Sequence, residues 1–142
     1  MKTTQITLTA LAALAARFSL PLTSAHFLKV YPASRGFDDA KIATFPCGGF
    51  DTVSKNRTLF PLSGGEISLE MADTSSNIEV LIGLGNNVGN GFNQVIRQTF
   101  AQTGEGNFCM TGFSLPTNLN GMNATIQVVT SSDDSAGLYN CA

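Results

Sequence analysis

The sequence predicts an all-β fold, a β-sandwich of short strands, on three observations. Apolar and polar residues alternate in several runs, Gly-rich clusters separate those runs, and a chain of 142 residues opens on a segment that marks it for export. Short alternating strands with frequent turns in a secreted chain of this size pack most simply as two sheets face to face.

The strand signals fall in chain order. Ile67, Leu69 and Met71 alternate with Glu66, Ser68 and Glu70. Ile78, Val80, Ile82 and Leu84 form one face of the next run, with Glu79, Leu81 and Gly83 on the other. From Phe92 to Phe100, Phe92, Ile96 and Phe100 fit both strand and helix spacing, and the neighbouring strands favour a strand. Met122, Ala124, Ile126 and Val128 alternate with Asn123, Thr125 and Gln127, which places the polar set outward. Pro46-Cys47-Gly48-Gly49, Ser63-Gly64-Gly65, Gly85 to Gly91 and Gly104 to Asn107 read as turns and loops. Nine of the ten Phe lie after the export segment and supply large apolar volumes, whereas Trp is absent, so the buried Trp of antibody domains has no counterpart.

Composition narrows the function. One domain fits this length and two do not. A formal charge of −2 with scattered basic residues lacks the footprint of a nucleic-acid binder. A hydrophobic fraction of 43% argues against disorder. A single His excludes any site built wholly of imidazoles. No nucleophile elbow surrounds a Ser, and Asp38-Asp39 and Asp133-Asp134 read as turns rather than as glycosidase acids.

Residues 1–25 carry Lys2, an apolar run from Ile6 through Ala16, and Thr23-Ser24-Ala25, the pattern of a cleaved signal peptide. Arg17 leaves about a dozen apolar residues before it, short of the ~20 that span a bilayer. Removal leaves 117 of the 142 residues; Lys2 and Arg17 go and no acid goes, which takes the formal charge from −2 to −4. The expected organisation is a signal peptide over 1–25 and one domain over 26–142, released to the cell exterior. Export makes Cys47, Cys109 and Cys141 disulfide partners. With three, either one thiol is free or a fourth Cys follows in a longer chain; the second is favoured, so the domain reads as C-terminally incomplete. Cys47 with Cys141 closes the longest loop of the possible pairs. Asn56-Arg57-Thr58 and Asn123-Ala124-Thr125 are glycosylation sequons, with Asn56 and Asn123 as acceptors.

Cleavage after Ala25 makes His26 the first mature residue. Its free α-amine and its imidazole Nδ1 can then chelate one metal ion, and two neutral nitrogens suit copper(II). The same His serves equally as a plain polar start to a strand. With no second His, the other candidate ligands are Asp38, Asp39, Asp51, Asp73, Asp133 and Asp134.

The run His26-Phe27-Leu28-Lys29-Val30-Tyr31-Pro32, followed by Ser34-Arg35-Gly36-Phe37-Asp38-Asp39, leads a series of matches. It continues with Phe45-Pro46-Cys47-Gly48-Gly49-Phe50, Asn56-Arg57-Thr58, Phe60-Pro61-Leu62-Ser63-Gly64-Gly65, Gly104 to Cys109, Ala124 to Val128 and Leu138-Tyr139-Asn140-Cys141-Ala142. In order and spacing the series resembles the fungal copper acquisition factor family, which is similar to lytic polysaccharide monooxygenases. The resemblance implies an immunoglobulin-like or fibronectin-like β-sandwich of the polysaccharide-monooxygenase type. It also implies a secreted or cell-surface protein that takes part in copper homeostasis without being an enzyme and binds one copper ion. Its partners would be that ion and a membrane copper transporter or a cell-wall component.

The family holds copper through the N-terminal amine and imidazole, a second His and an Asp, and members often end in a glycolipid anchor signal. Here the second His is expected around Ala72-Asp73, and the family Asp directly after Ala142. His26 carries over as a metal ligand. Asp73 could replace the missing nitrogen with an oxygen, and it also reads as a turn residue before Thr74. Two alternatives remain: a metal-free cell-wall or adhesion module on the same fold, and an oxidative polysaccharide monooxygenase, which needs a second His.

Overall fold

A computed structural model describes residues 26–133 and 135–142. The signal-peptide reading of residues 1–25 and the candidate Asp134 lie outside the described residues. Among the described residues, seven strands form two antiparallel sheets: β1 (Phe27–Tyr31), β2 (Ser63–Met71), β3 (Ser75–Leu84), β4 (Gln94–Thr103), β5 (Gly106–Ser114), β6 (Ala124–Ser132) and β7 (Ser135–Cys141). The order is β1-β2-β5 in the smaller sheet and β4-β3-β6-β7 in the larger. The chain changes sheet three times, between β2 and β3, between β4 and β5, and between β5 and β6. The β2–β3 and β4–β5 corners lie at one end of the sandwich, tied by the Gly104 N–H donating to the Thr74 carbonyl at 2.8 Å.

Alternation converts directly into packing in β2 and β3. Ile67, Leu69, Ile78 and Val80 have no solvent exposure, while Glu66 and Glu70 face water. The side chains that repeat every second residue bury one face, and the two buried faces make the core. The run from Phe92 resolves as a strand, β4, that starts at Gln94.

Three expectations needed correction. Ser63-Gly64-Gly65 is not a turn but the start of β2, with register shifts on either side of Gly65. Gly64 at φ +73° supplies the left-handed residue that such a bulge uses. The loop read over Gly104 to Asn107 shortens to Gly104-Glu105, because Gly106 and Asn107 pair into β5.

The third correction concerns β6. Asn123 is exposed as expected, but Thr125 and Gln127 are buried, at 0% and 1% exposure. The long connection 32–62 between β1 and β2 covers them. The Arg35 guanidinium donates to Thr125 Oγ1, and Gln127 Oε1 accepts from the Cys47 N–H at 3.0 Å. A polar sheet face can be buried when each group finds a partner, and here the covering loop provides it. Met122 lies before β6 and is half exposed.

That connection is fastened along β7. The Arg35 N–H donates to the Cys141 carbonyl (2.9 Å), Ser34 Oγ donates to Asn140 Oδ1 (2.7 Å), and the Ile42 carbonyl accepts from the Tyr139 N–H (2.8 Å). A disulfide joins Cys47 to Cys141 across 94 residues, the pairing that closes the longest loop. Cys109 is exposed and has no disulfide partner.

Candidate metal centre

His26 immediately precedes β1, at the end of the sandwich that holds the β2–β3 and β4–β5 corners. The β1–β2 register sets Phe27 opposite Met71, so the next pair outward is His26 with Ala72. The Ala72 N–H donates to the His26 carbonyl at 2.9 Å, which fixes the histidine backbone to the end of β2. The imidazole is mostly buried, its side chain 17% exposed, with the Phe37 ring edge-on at 6.2 Å between centroids.

Its Nε2 lies 3.3 Å from Oδ1 of Asp39, an exposed side chain on the connection after β1. This geometry divides the two ring nitrogens. The Nε2 edge of the ring is turned to the carboxylate, and Nδ1 is the ring nitrogen on the side of the residue's own backbone. Nδ1 is also the nitrogen that forms a chelate with the α-amine of the same residue. In a chain beginning at His26, an α-amine and imidazole of one residue are the donors this end could offer an ion, with the Asp39 carboxylate beside the Nε2 edge of the ring.

The other carboxylates have different surroundings. Asp38 accepts from the Ala40 N–H (3.0 Å) and lies 3.3 Å from Lys41 Nζ, a turn arrangement. Asp51 and Asp133 are exposed in loops. Asp73 is half-buried in the β2–β3 corner, next to Ala72, and accepts from Ser76 Oγ at 3.4 Å. A two-imidazole brace does not fit this chain, since the exposed Ala72 stands opposite its single His. Among the described residues no three His, Cys, Asp or Glu side chains gather closely enough to hold a metal.

Sequence reasoning did not single out Lys29. It lies in β1 with its side chain inward and 1% exposed, while Leu28 and Val30 face out. Its Nζ donates to the Ile126 carbonyl at 3.0 Å. Burial, and then the nearby Arg35 charge, push its pKa down to about 7. The two sequon residues, Asn56 and Asn123, are both exposed.

The profile of the copper acquisition factor BIM1-like family matches residues 24–142. The chain is 41% identical over 130 residues to an uncharacterised protein of Aspergillus fumigatus, covering 86% of this chain and 53% of that one. It is 32% identical over 141 residues to a lytic polysaccharide monooxygenase-like protein X325 of Yarrowia lipolytica, covering 92% and 52%. It is 34% identical over 148 residues to the lytic polysaccharide monooxygenase-like protein ham-7 of Neurospora crassa, covering 87% and 64%. The chain thus spans about half to two thirds of the length of these relatives.

Proposed function

The chain belongs to the BIM1-like copper acquisition factor family, and from that premise we propose that it binds one copper ion at a mature N-terminus created by cleavage before His26. The protein acts outside the cell or at its surface, as a copper-handling protein rather than an enzyme. The observation that carries this reading is the placement of His26. Its carbonyl is tied to the Ala72 N–H and its Nε2 lies 3.3 Å from the Asp39 carboxylate, so backbone pairing and a carboxylate together fix the residue that cleavage would make the first. Bound copper would supply a redox-active centre whose ligands here are the α-amine and Nδ1. With one imidazole instead of two, binding is weaker than a full brace gives, which suits uptake and release better than retention of a catalytic ion.

The chemistry supports the other parts of the proposal. The Cys47–Cys141 disulfide and the exposed sequons fit an oxidising route of export. Monooxygenase chemistry has the weaker support, because Ala72, and not a second His, stands opposite His26.

The test compares two forms of the protein, one beginning at His26 and one with a single Ala placed before it. The His26 form is expected to bind Cu(II) with micromolar or tighter affinity by calorimetry, and the extended form to lose that binding. Absence of binding at tens of micromolar would overturn the proposal in favour of a metal-free module.

A further inference from the structure

The connection after β1 returns to the residue that precedes β1. Phe37 and Asp39, two residues apart, both meet the His26 side chain. The Phe37 ring stands at 76° to the imidazole, with 6.2 Å between centroids, and Asp39 Oδ1 lies 3.3 Å from Nε2. Edge-on contact at this separation is a favoured geometry for two aromatic rings. Phe37 is 40% exposed and belongs to neither apolar core cluster, whereas the imidazole beside it is only 17% exposed. An exposed aromatic outside the core contributes little to folding, and its ring contact is with His26.

Both flanks of this stretch are fixed. On one side, Ser34 Oγ donates to Asn140 Oδ1 (2.7 Å) and the Arg35 N–H to the Cys141 carbonyl (2.9 Å), both on β7. Gly36 then packs so closely on the Phe50 ring that a Cβ there would lie 2.4 Å from it. On the other side, the Lys41 and Ile42 N–H groups donate to the Asp38 carbonyl (2.9 and 3.0 Å), and the Ile42 carbonyl accepts from the Tyr139 N–H (2.8 Å). Asp38 itself engages Ala40 and Lys41. A segment pinned at both ends holds Phe37 and Asp39 against the imidazole. The His26 backbone is tied separately, by its carbonyl to the Ala72 N–H. The histidine is thus held through its backbone, by a carboxylate and by a ring.

A chelate built from two groups of one residue gains from such order. The α-amine and the imidazole must take one mutual arrangement, and a histidine free in solvent gives up rotamer freedom to reach it. We propose that Phe37 is a positioning residue, which holds the His26 imidazole in one orientation before an ion arrives. Asp39 brings charge to the Nε2 edge, and Phe37 brings shape to the ring while contributing no donor atom. The inference rests on the copper reading above and names a residue that sets the strength of that site.

The test uses protein beginning at His26, as the parent, Phe37→Ala and Phe37→Tyr. In the metal-free proteins, carbon-13 relaxation of the His26 ring is expected to show an ordered ring in the parent and in Phe37→Tyr, and a more mobile one in Phe37→Ala. Calorimetry with Cu(II) is expected to show affinity lowered about 2–10-fold by Phe37→Ala, the scale of one immobilised side chain, and restored in Phe37→Tyr. Because Phe37 is exposed and outside both core clusters, the three unfolding midpoints should agree. Failure of the parent to bind Cu(II) would overturn the reading on which the inference rests. With the parent binding, three results would each overturn the inference alone: unchanged affinity in Phe37→Ala, unchanged ring order in that variant, or a Phe37→Tyr variant that behaves like Phe37→Ala.

Discussion

Where β1 begins, an imidazole meets the Asp39 carboxylate and Asp73 lies in the adjacent corner; where β1 ends, Arg35 and Arg57 line an apolar cleft and Lys29 is buried beneath it on the Ile126 carbonyl. The two ends differ in more than sign. The first is a set of polar groups fixed at strand termini, where backbone pairing sets their positions. The second is an opening into the core, where charge sits beside apolar surface. One connection serves both: residues 32–62 leave the cleft with Arg35 and reach the other end with Phe37 and Asp39. What holds that connection therefore controls both ends.

The largest expected effect follows from the fastening. Replacing both Cys47 and Cys141 by Ser frees a loop of 94 residues and should cost about 3–5 kcal/mol of stability by chemical denaturation. Amide exchange should rise most from Arg35 to Phe50, the stretch pinned to β7. A loss below about 1 kcal/mol would show instead that the hydrogen bonds to Cys141, Tyr139 and Asn140 suffice to hold the connection.

The sequence made some of this legible and concealed the rest for physical reasons. Alternation revealed β2 and β3 because one face of each meets the core, and the longest Cys loop is the one that closes. Alternation gives a period but not a direction. In Phe27-Leu28-Lys29-Val30-Tyr31 the apolar Leu28 and Val30 look no less suited to the interior than Lys29, yet Lys29 is inside. Thr125 and Gln127 read as outward because their cover is a loop without periodicity of its own. Asp73 is conspicuous because it follows the residue opposite His26, whereas Asp39 reaches His26 by the path of a long connection that no local pattern encodes.

Lys29 offers a second, smaller way to sharpen the contrast. Its native pKa near 7 lies below the ordinary 10.5 of an unfolded lysine. Between those values the unfolded chain binds the extra proton, so stability rises with pH, by up to about 1.4 kcal/mol per unit. Below about pH 7 the native state carries the buried charge and bears the whole penalty. Lys29→Met should remove this slope and be more stable than the parent at pH 6, the advantage shrinking towards pH 9. The Ile126 carbonyl keeps a donor in the Ala142 N–H at 3.1 Å, so the substitution leaves no orphaned acceptor. Parallel urea stability profiles for the two proteins would show that Lys29 does not titrate in this range.

The smallest effect distinguishes what Asp39 does at the other end. It is exposed and touches His26 through Nε2, so Asp39→Asn should leave the unfolding midpoint nearly unchanged. If Asp39 orients the ring from behind, its loss should weaken Cu(II) binding by about 10–100-fold, the usual scale for a group that positions a metal-bound imidazole. An Asn keeps a polar group at the Nε2 edge of the ring but lacks the negative charge, so binding should be reduced and not abolished. Asp73→Asn is the comparison that gives this meaning. A larger loss there than at Asp39 would move the acidic partner of the site from the loop to the β2–β3 corner, and with it the role of the 32–62 connection at this end of the molecule.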